Sequence, residues 1–262
     1  MIPQADITAW GVTRPWPNPD AIEQDLLLAR TIVAIYQHPV LSGELVFRGG
    51  TALHQVHLPS PWRYSEDLDF VRRTNSKIGP ILDALRDDVA AECGLQVRSV
   101  DLKRVPKVKL RGPATSDPGR FLNLKIEMNT HETSPALDLI TMPFRVSSNW
   151  FTGSAQVLTF QPAELVSTKL RALYQRKKGR DLFDLWLALN DMKLPPQEIL
   201  AAFLPYRPQG AYTSTLAIAN LESKLSEVEF RDDLRPLVAA WPPGYDIDSA
   251  GAQVISELLA HV

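Results

Sequence analysis

The stretch FRGGTALHQVHLPSPWRYSEDLDFV, Phe47 to Val71, decides how the chain is read. Its first half closes a short strand, ELVFR (44–48), on Gly49–Gly50 and passes into helical character from Thr51 to His57, where Pro59 and Pro61 stop it. Two glycines between a strand and a helix let the backbone approach a phosphate, with helix N–H groups aimed at it. A glycine turn made only for packing gives the same pattern. The second half holds another strand, DLDFV (67–71). Asp67 and Asp69 are one residue apart on it, so both carboxylates point to the same face. Neighbouring carboxylates repel one another unless a cation sits between them. Mg2+ takes one or two carboxylates together with substrate phosphates, and the spacing fits that use. The alternative is an exposed turn with solvated acids. Leu68, Phe70 and Val71 argue against it by placing the pair on a buried sheet.

Residues 1–19 carry Pro3, Pro15, Pro17 and Pro19 and read as an irregular N-terminal arm. Residues 20–38 have helical apolar spacing, with Asp20 as the expected N-cap. A second amphipathic helix is expected over 77–93, stopped by Gly94. Strands are expected at 95–102, 108–110, 121–129 and 156–160, with a loop at 111–120. FLNLKIEMN (121–129) alternates: Leu122, Leu124, Ile126 and Met128 face one side, and Asn123, Lys125, Glu127 and Asn129 the other. Glu127 is therefore either a third carboxylate beside Asp67 and Asp69 or a solvated edge residue. Three carboxylates around two metals could bind a nucleoside triphosphate and activate an attacking hydroxyl. From Pro162 the texture becomes helical. The expected organisation is an α+β domain with a mixed sheet (20–160) followed by a helical domain (161–262).

In the helical part Leu165, Lys169 and Leu173 share one face, so Lys169 lies within an apolar stripe and must reach water or meet an anion. Seven of the eight residues from 182 to 189 are apolar, and the exception is Asp184. A buried carboxylate needs a partner, which Arg180 or Lys169 could supply. Such a pair either fixes two helices or belongs to a reaction site.

Composition narrows the classes. The 262 residues are 45% apolar and 22% charged, which excludes a disordered tail, a collagen and a simple coiled coil. There is no apolar run of about 18 residues, and MIPQADITAWG lacks the pattern of a secretory signal. The single Cys93 favours a reducing cytoplasm, and no membrane association is expected. A net charge of −2 says nothing for or against nucleic acid, but the charge is uneven. Residues 98–111 hold six bases against one acid, 169–180 hold six bases and no acid, and 222–262 hold eight acids against three bases. The basic blocks make Lys103, Arg104, Lys107, Lys109, Arg171, Arg176, Lys177 and Lys178 candidate RNA contacts, the alternative being solvated faces.

Taken together, FRGGTALHQVHLPSPWRYSEDLDFV and ELVSTKLRALYQRKKGRDLFDLW (164–186) resemble the motifs of the AbiEii-type nucleotidyltransferase toxins, which include the mycobacterial MenT toxins. The resemblance covers about residues 20–190 and rests on GGTAL, R-x-S-x-D-L-D-F, K-L-x-A-L and R-D-x-x-D-L in order. It implies a DNA-polymerase-β-like fold with an added helical lobe. It also implies roles: Gly49, Gly50 and Thr51 for the triphosphate, Asp67, Asp69 and Glu127 for Mg2+ (or Mn2+), Lys169 for nucleotide phosphate and Asp184 as the essential acid of the last motif. Arg63, Ser65, Arg180 and Asp181 match as supporting residues, and Arg48 stands where Lys is more usual. The expected activity is transfer of nucleotides from an NTP to RNA, at the 3′ acceptor end of tRNA, by a toxin with a cognate antitoxin. A monomer is the expected state.

Two other readings remain. One is the same chemistry on a small molecule or a protein hydroxyl. The other is a catalytically silent binding protein on the same fold, against which the intact Asp67, Asp69, Glu127 and Lys169 argue. A metal-dependent glycosyltransferase also uses an Asp-x-Asp pair, but the preceding glycines and the later Lys and Arg-Asp motifs speak against it. His54, His57, Trp62 and Cys93 read as packing residues.

Overall fold

The computed structural model describes residues 1–262 except Arg104, Pro118, Thr133 and Ala211. The chain divides into two compact units. One comprises Met1–Pro135 and Leu139–Phe160, the other Ala136–Asp138 and Gln161–Val262.

The first unit opens with α1 (Gln4–Thr13), α2 (Pro19–Gln37) and α3 (Pro39–Glu44). The expected irregular arm is thus helical over ten residues. Pro3 stands just ahead of the helix, where a missing N–H costs nothing. Helix α2 is capped by Asn18, whose side chain accepts from Ala21 N at 2.8 Å, and not by Asp20. Pro19 supplies the first-turn φ, which makes the residue before it the cap. Strand β1 (Leu45–Arg48) then meets α4 (Gly49–Ala52), which continues as a π-helical turn to His57. After β2 (Asp67–Arg72) come α5 (Gly79–Asp83), a further π-helical stretch and α6 (Ala90–Glu92). Strands β3 (Gln96–Asp101), β4 (Lys107–Pro113), β5 (Phe121–Asn129), β6 (Ile140–Ser147) and β7 (Thr152–Thr159) complete the unit.

The seven strands form one sheet in the order β3-β4-β5-β2-β1-β7-β6. Strand β2 runs parallel to β5 and antiparallel to β1, and β1 runs parallel to β7, so the sheet is mixed, as expected. Period-2 alternation gives it two unlike faces. On one face Leu68, Phe70, Val108, Leu110, Leu124, Ile126 and Met128 are buried. Helix α2, which packs on β5, β6 and β7, is itself apolar there, with Leu28, Ile32 and Ile35 fully buried. The other face is polar and carries the side chains considered below.

The second unit is helical: α7 (Pro162–Gln175), α8 (Gly179–Asn190), α9 (Pro196–Phe203), α10 (Ser214–Leu225), α11 (Val228–Asp232) and α12 (Ile247–Glu257). Residues 136–138 join it because the fully buried Glu164 carboxylate accepts from Ala136 N at 2.7 Å and Leu137 N at 2.9 Å. The Tyr206 hydroxyl also donates to that carboxylate. No helix among the described residues is long and apolar enough to cross a membrane.

Candidate functional site

Strand registers set the first cluster. Parallel pairing of β2 with β5 places Asp67 opposite Lys125 and Asp69 opposite Glu127. Antiparallel pairing of β5 with β4 places Lys125 opposite Lys109 and Glu127 opposite Lys107. Arg48 of β1 lies opposite Asp69. Directly paired residues share a face, so two rows cross the polar side of the sheet: Lys109–Lys125–Asp67 and Lys107–Glu127–Asp69–Arg48. The expected carboxylate pair and two bases of the 98–111 block therefore lie together.

Within these rows the ion pairs run through Lys125. Its ammonium lies 2.8 Å from Asp67 Oδ2 and 2.9 Å from Glu127 Oε1. Lys107 Nζ lies 3.1 Å from the same Glu127 oxygen. Burial tends to raise the Glu127 pKa, but the two ammonium groups outweigh it and hold the carboxyl below its ordinary value. Among the described residues no group of three or more His, Cys, Asp or Glu side chains is placed to hold a metal ion. The expected third metal ligand is thus engaged by lysines in this conformation. Asp67, whose Oδ2 also meets Lys125, and Asp69 are hard oxygens on one face, which is the donor set Mg2+ takes when substrate phosphates complete its shell.

The Gly49–Gly50 turn packs closely against this pair. Gly49 has φ +79°, and a Cβ there would come within 2.3 Å of Asp69 Oδ2. A Cβ on Gly50 would meet the Arg63 guanidinium at 2.5 Å and Ser65 Oγ at 3.0 Å. Glycine is thus required twice, once by backbone conformation and close approach to an acid, once by a buried arginine. The Thr51 side chain is fully buried. Its hydroxyl donates to the Asp67 carbonyl at 2.5 Å and lies 2.9 Å from Ser65 Oγ. That hydroxyl pins the start of β2, so any contact of Thr51 with phosphate falls to its backbone. Arg63 is 2% exposed and donates to the Tyr64 carbonyl at 3.1 Å, a buried support beneath the turn. Arg48, 2.9 Å from Glu132 Oε2, braces the end of β1. His54 Nδ1 accepts from Trp62 N, and His57 Nε2 lies 3.2 Å from Thr159 Oγ1, which accounts for both imidazoles as packing groups.

The second cluster lies within the helical unit. Lys169 of α7 is buried, with its ammonium 2.7 Å from Asp184 Oδ2 and 3.5 Å from Asp181 Oδ1 of α8. Arg176 grips Asp181 through two hydrogen bonds, of 2.6 and 2.7 Å. Two bases and two fully buried acids thus tie α7 to α8. The Asp184 partner is Lys169 and not Arg180, whose Nε lies 3.7 Å from Asp233 instead. Gly179, at the start of α8, has the Phe230 carbonyl oxygen where a Cβ would stand, 2.2 Å away.

The basic block around these residues is largely matched inside its own unit. Lys178 pairs with Asp233 at 3.2 Å, Lys177 pairs with Glu227, and the Arg171 guanidinium stacks 5.6 Å from the Tyr206 ring centre. The acidic C-terminal segment thus supplies partners to a patch expected to meet RNA. The exposed Lys103 and Lys109 ammonium groups make no ion pair with described residues. Arg104 lies outside the described residues. What the sequence did not single out is Lys125. The alternation put it on the polar face, but its meeting with Asp67 depends on which strands pair.

The family profile "Nucleotidyl transferase AbiEii toxin, Type IV TA system" matches residues 31–251. The chain belongs to this family of nucleotidyltransferase toxins. Among solved structures it is similar to MenT4, a nucleotidyltransferase toxin from Mycobacterium tuberculosis H37Rv. The likeness covers 96% of this chain and 99% of that one, with 16% identity and a TM-score of 0.55, and it shows a shared fold. An antigenic nucleotidyltransferase-like protein from Paracoccidioides brasiliensis is 17% identical over 82% of this chain and 94% of that chain, with a TM-score of 0.39. No curated protein matches the chain.

Proposed function

We propose that this AbiEii-family chain transfers a nucleotide from an NTP to the 3′ acceptor end of tRNA, in the cytoplasm, as a toxin held in check by a cognate antitoxin. The observation that carries the reading is the pair of rows on the polar sheet face. They place Asp67 and Asp69 beside a glycine turn on one side and Lys107 and Lys109 on the other. Paired carboxylates beside a strand–glycine–helix turn suit nucleotide handling, and adjoining bases are where an acceptor's backbone would bind.

In this reading Asp67 and Asp69 hold Mg2+ or Mn2+, and the Gly49–Gly50–Thr51 backbone receives the triphosphate. Lys169, with Asp184 orienting it, neutralises nucleotide phosphate, while Arg63, Ser65, Arg180 and Asp181 are supporting residues. When bound, the metal would align the α-phosphate with the attacking hydroxyl and stabilise the leaving pyrophosphate. Lys103, Lys107 and Lys109 bind the acceptor. The matched pairs Lys177–Glu227 and Lys178–Asp233 favour a smaller RNA footprint than the base count alone suggests.

The deciding experiment incubates the protein and Mg2+ with each labelled NTP and total tRNA, with D69A as the control. Label at the tRNA 3′ end that is lost in D69A supports the reading. Label on protein or on a small hydroxyl compound keeps the chemistry and replaces the acceptor. Equal labelling by D69A removes the carboxylate pair from the chemistry.

A further inference from the structure

We propose that Phe121 is a base-stacking residue and that the RNA acceptor reaches the carboxylates as a single strand laid along β5, unpaired over about four nucleotides. The inference rests on the RNA-acceptor reading above and deepens it.

Strand register supports it. Phe121, Asn123 and Lys125 share the polar face of the sheet, and β4 sets Pro113 opposite Phe121, Arg111 opposite Asn123 and Lys109 opposite Lys125. Lys125 in turn lies opposite Asp67. A phenylalanine is out of keeping here, since the alternation of β5 sends its other apolar residues to the buried face. Phe121 is 46% exposed, and the Arg111 guanidinium lies 4.7 Å from its ring centre. Burial does not account for a ring at this position. An exposed ring flanked by an arginine is an arrangement on which unpaired bases stack.

Charge is graded along the same line. The acids Asp67, Asp69, Glu127 and Asp101 all fall in the two rows that cross β2. The rows of Arg111 and Phe121 hold no acid among the described residues. Arg98 joins them from β3, where the register with β4 shifts, and its guanidinium donates to Asn123 Oδ1 at 2.9 Å. Arg98, Lys109 and Arg111 make no ion pair with a described residue, whereas Glu127 and Asp67 hold Lys107 and Lys125. Arg120, next to Phe121 in the chain, is engaged by Asp20 and adds nothing to this charge. The three unmatched cations thus lead from the carboxylates toward the ring, which suits a polyanion whose reacting end lies at Asp67 and Asp69.

The strand also sets a length. Phe121 is four residues from Lys125, about 13 Å at about 3.3 Å per residue. Nucleotides stacked at about 3.4 Å each cover that distance in about four. A duplex could not be held this way, because its bases stack on one another and withhold their faces from side chains. Phe121 thus selects an unpaired end and acts in binding, not in the transfer step.

The test measures binding of the full chain, by fluorescence anisotropy, to labelled RNA hairpins with one stem and 3′ overhangs of zero, two or five nucleotides. The wild type is expected to bind the five-nucleotide overhang about tenfold tighter than the blunt hairpin, with the two-nucleotide overhang close to blunt. F121A is expected to bind all three alike, at the wild-type affinity for the blunt form, and F121W to keep the preference. R111Q is expected to lower the salt slope by about one on the longest overhang. W241A is the control: Trp241 is also 46% exposed, but it lies in the helical unit beside Asp232 and Asp246, and its loss is expected to leave the preference intact. Should F121A not fold, F121L keeps the apolar bulk without the flat ring and is expected to lose the preference. Equal wild-type affinity for the blunt and five-nucleotide forms, or for the two- and five-nucleotide forms, overturns the proposal. So does an F121A or F121L that keeps the preference, or a larger loss from W241A. If the wild type labels RNA 3′ ends while binding ignores the overhang or Phe121, the stacking proposal fails and the acceptor reading stands. If RNA is neither bound nor labelled, both fail.

Discussion

Lys169 Nζ sits 2.7 Å from Asp184 Oδ2, and the two side chains are 6% and 0% exposed. The sequence left this lysine with two readings, a tie between helices or a phosphate contact, and the geometry realises the first without removing the second. Taking away one member of a buried pair strands the other, so K169M is expected to destabilise the helical unit by about 3–5 kcal/mol. Replacing both members with apolar residues of similar size, as in K169M/D184L, is expected to recover most of that. Denaturant unfolding checks the stability and nucleotide transfer checks the function. Recovery of stability without recovery of transfer marks Lys169 as a phosphate ligand. Recovery of both makes it a helix tie only.

Gly49 offers a cleaner probe of Asp69 than mutation of the acid itself. A methyl at Gly49 would overlap Asp69 Oδ2 at 2.3 Å, in a backbone conformation at φ +79° that alanine resists. G49A is expected to displace the carboxylate and lower transfer by about tenfold or more, because misplaced reacting groups lose rate steeply. Gly43, in α3, has nothing within 4 Å of a Cβ, so G43A is the matched control. Equal activity in both variants would mean that the Asp69 position is not critical.

The two basic blocks are expected to differ in their effect on RNA affinity. Lys109 is exposed in the row that contains Asp67, whereas Lys177 is already paired with Glu227. K109E is expected to weaken tRNA binding and lower the salt slope by about one, as for the loss of one phosphate contact. K177E is expected to change the slope little. Binding isotherms at several salt concentrations compare the two. A larger effect from K177E would return the acceptor to the helical unit.

The strand–glycine–helix step, β2 with its carboxylates and the alternating β5 were all legible because each is a local pattern. The unexpected β6 has the same alternation in Ile140, Met142, Phe144 and Val146, but Pro143 argues against a central strand. It is an edge strand, where a missing N–H faces no neighbour. The helix at Gln4–Thr13 was hidden by the prolines on either side of it, which bound the helix without entering it. The Lys125 bridge and the pairing of Lys177 and Lys178 with Glu227 and Asp233 were not legible at all. They depend on strand order and helix packing, which bring together residues far apart in sequence.

Two buried groups in the first unit titrate in opposite senses between pH 4 and 6.5. Asp25 accepts from Trp10 Nε1 at 2.9 Å and Gln55 Nε2 at 2.6 Å, yet burial pushes its carboxyl up to about 6. His57 is pushed down by burial to about 4. A raised carboxyl pKa means the fold prefers the protonated acid; its contribution is complete below the unfolded value near 4 and is lost as pH rises through 6. A lowered imidazole pKa means the fold prefers the neutral ring; its contribution is complete above the unfolded value near 6.5 and is lost as pH falls through 4. Each shift corresponds to about 3 kcal/mol at roughly 1.4 kcal/mol per pKa unit, so in the wild type they largely cancel. H57Q leaves only the Asp25 contribution and is expected to gain stability, relative to wild type, on going from pH 7 to pH 4.5. D25N leaves only the His57 contribution and is expected to lose it over the same interval. Urea midpoints of the three proteins at both pH values give the comparison. Parallel shifts in all three would show that neither group carries the pH dependence.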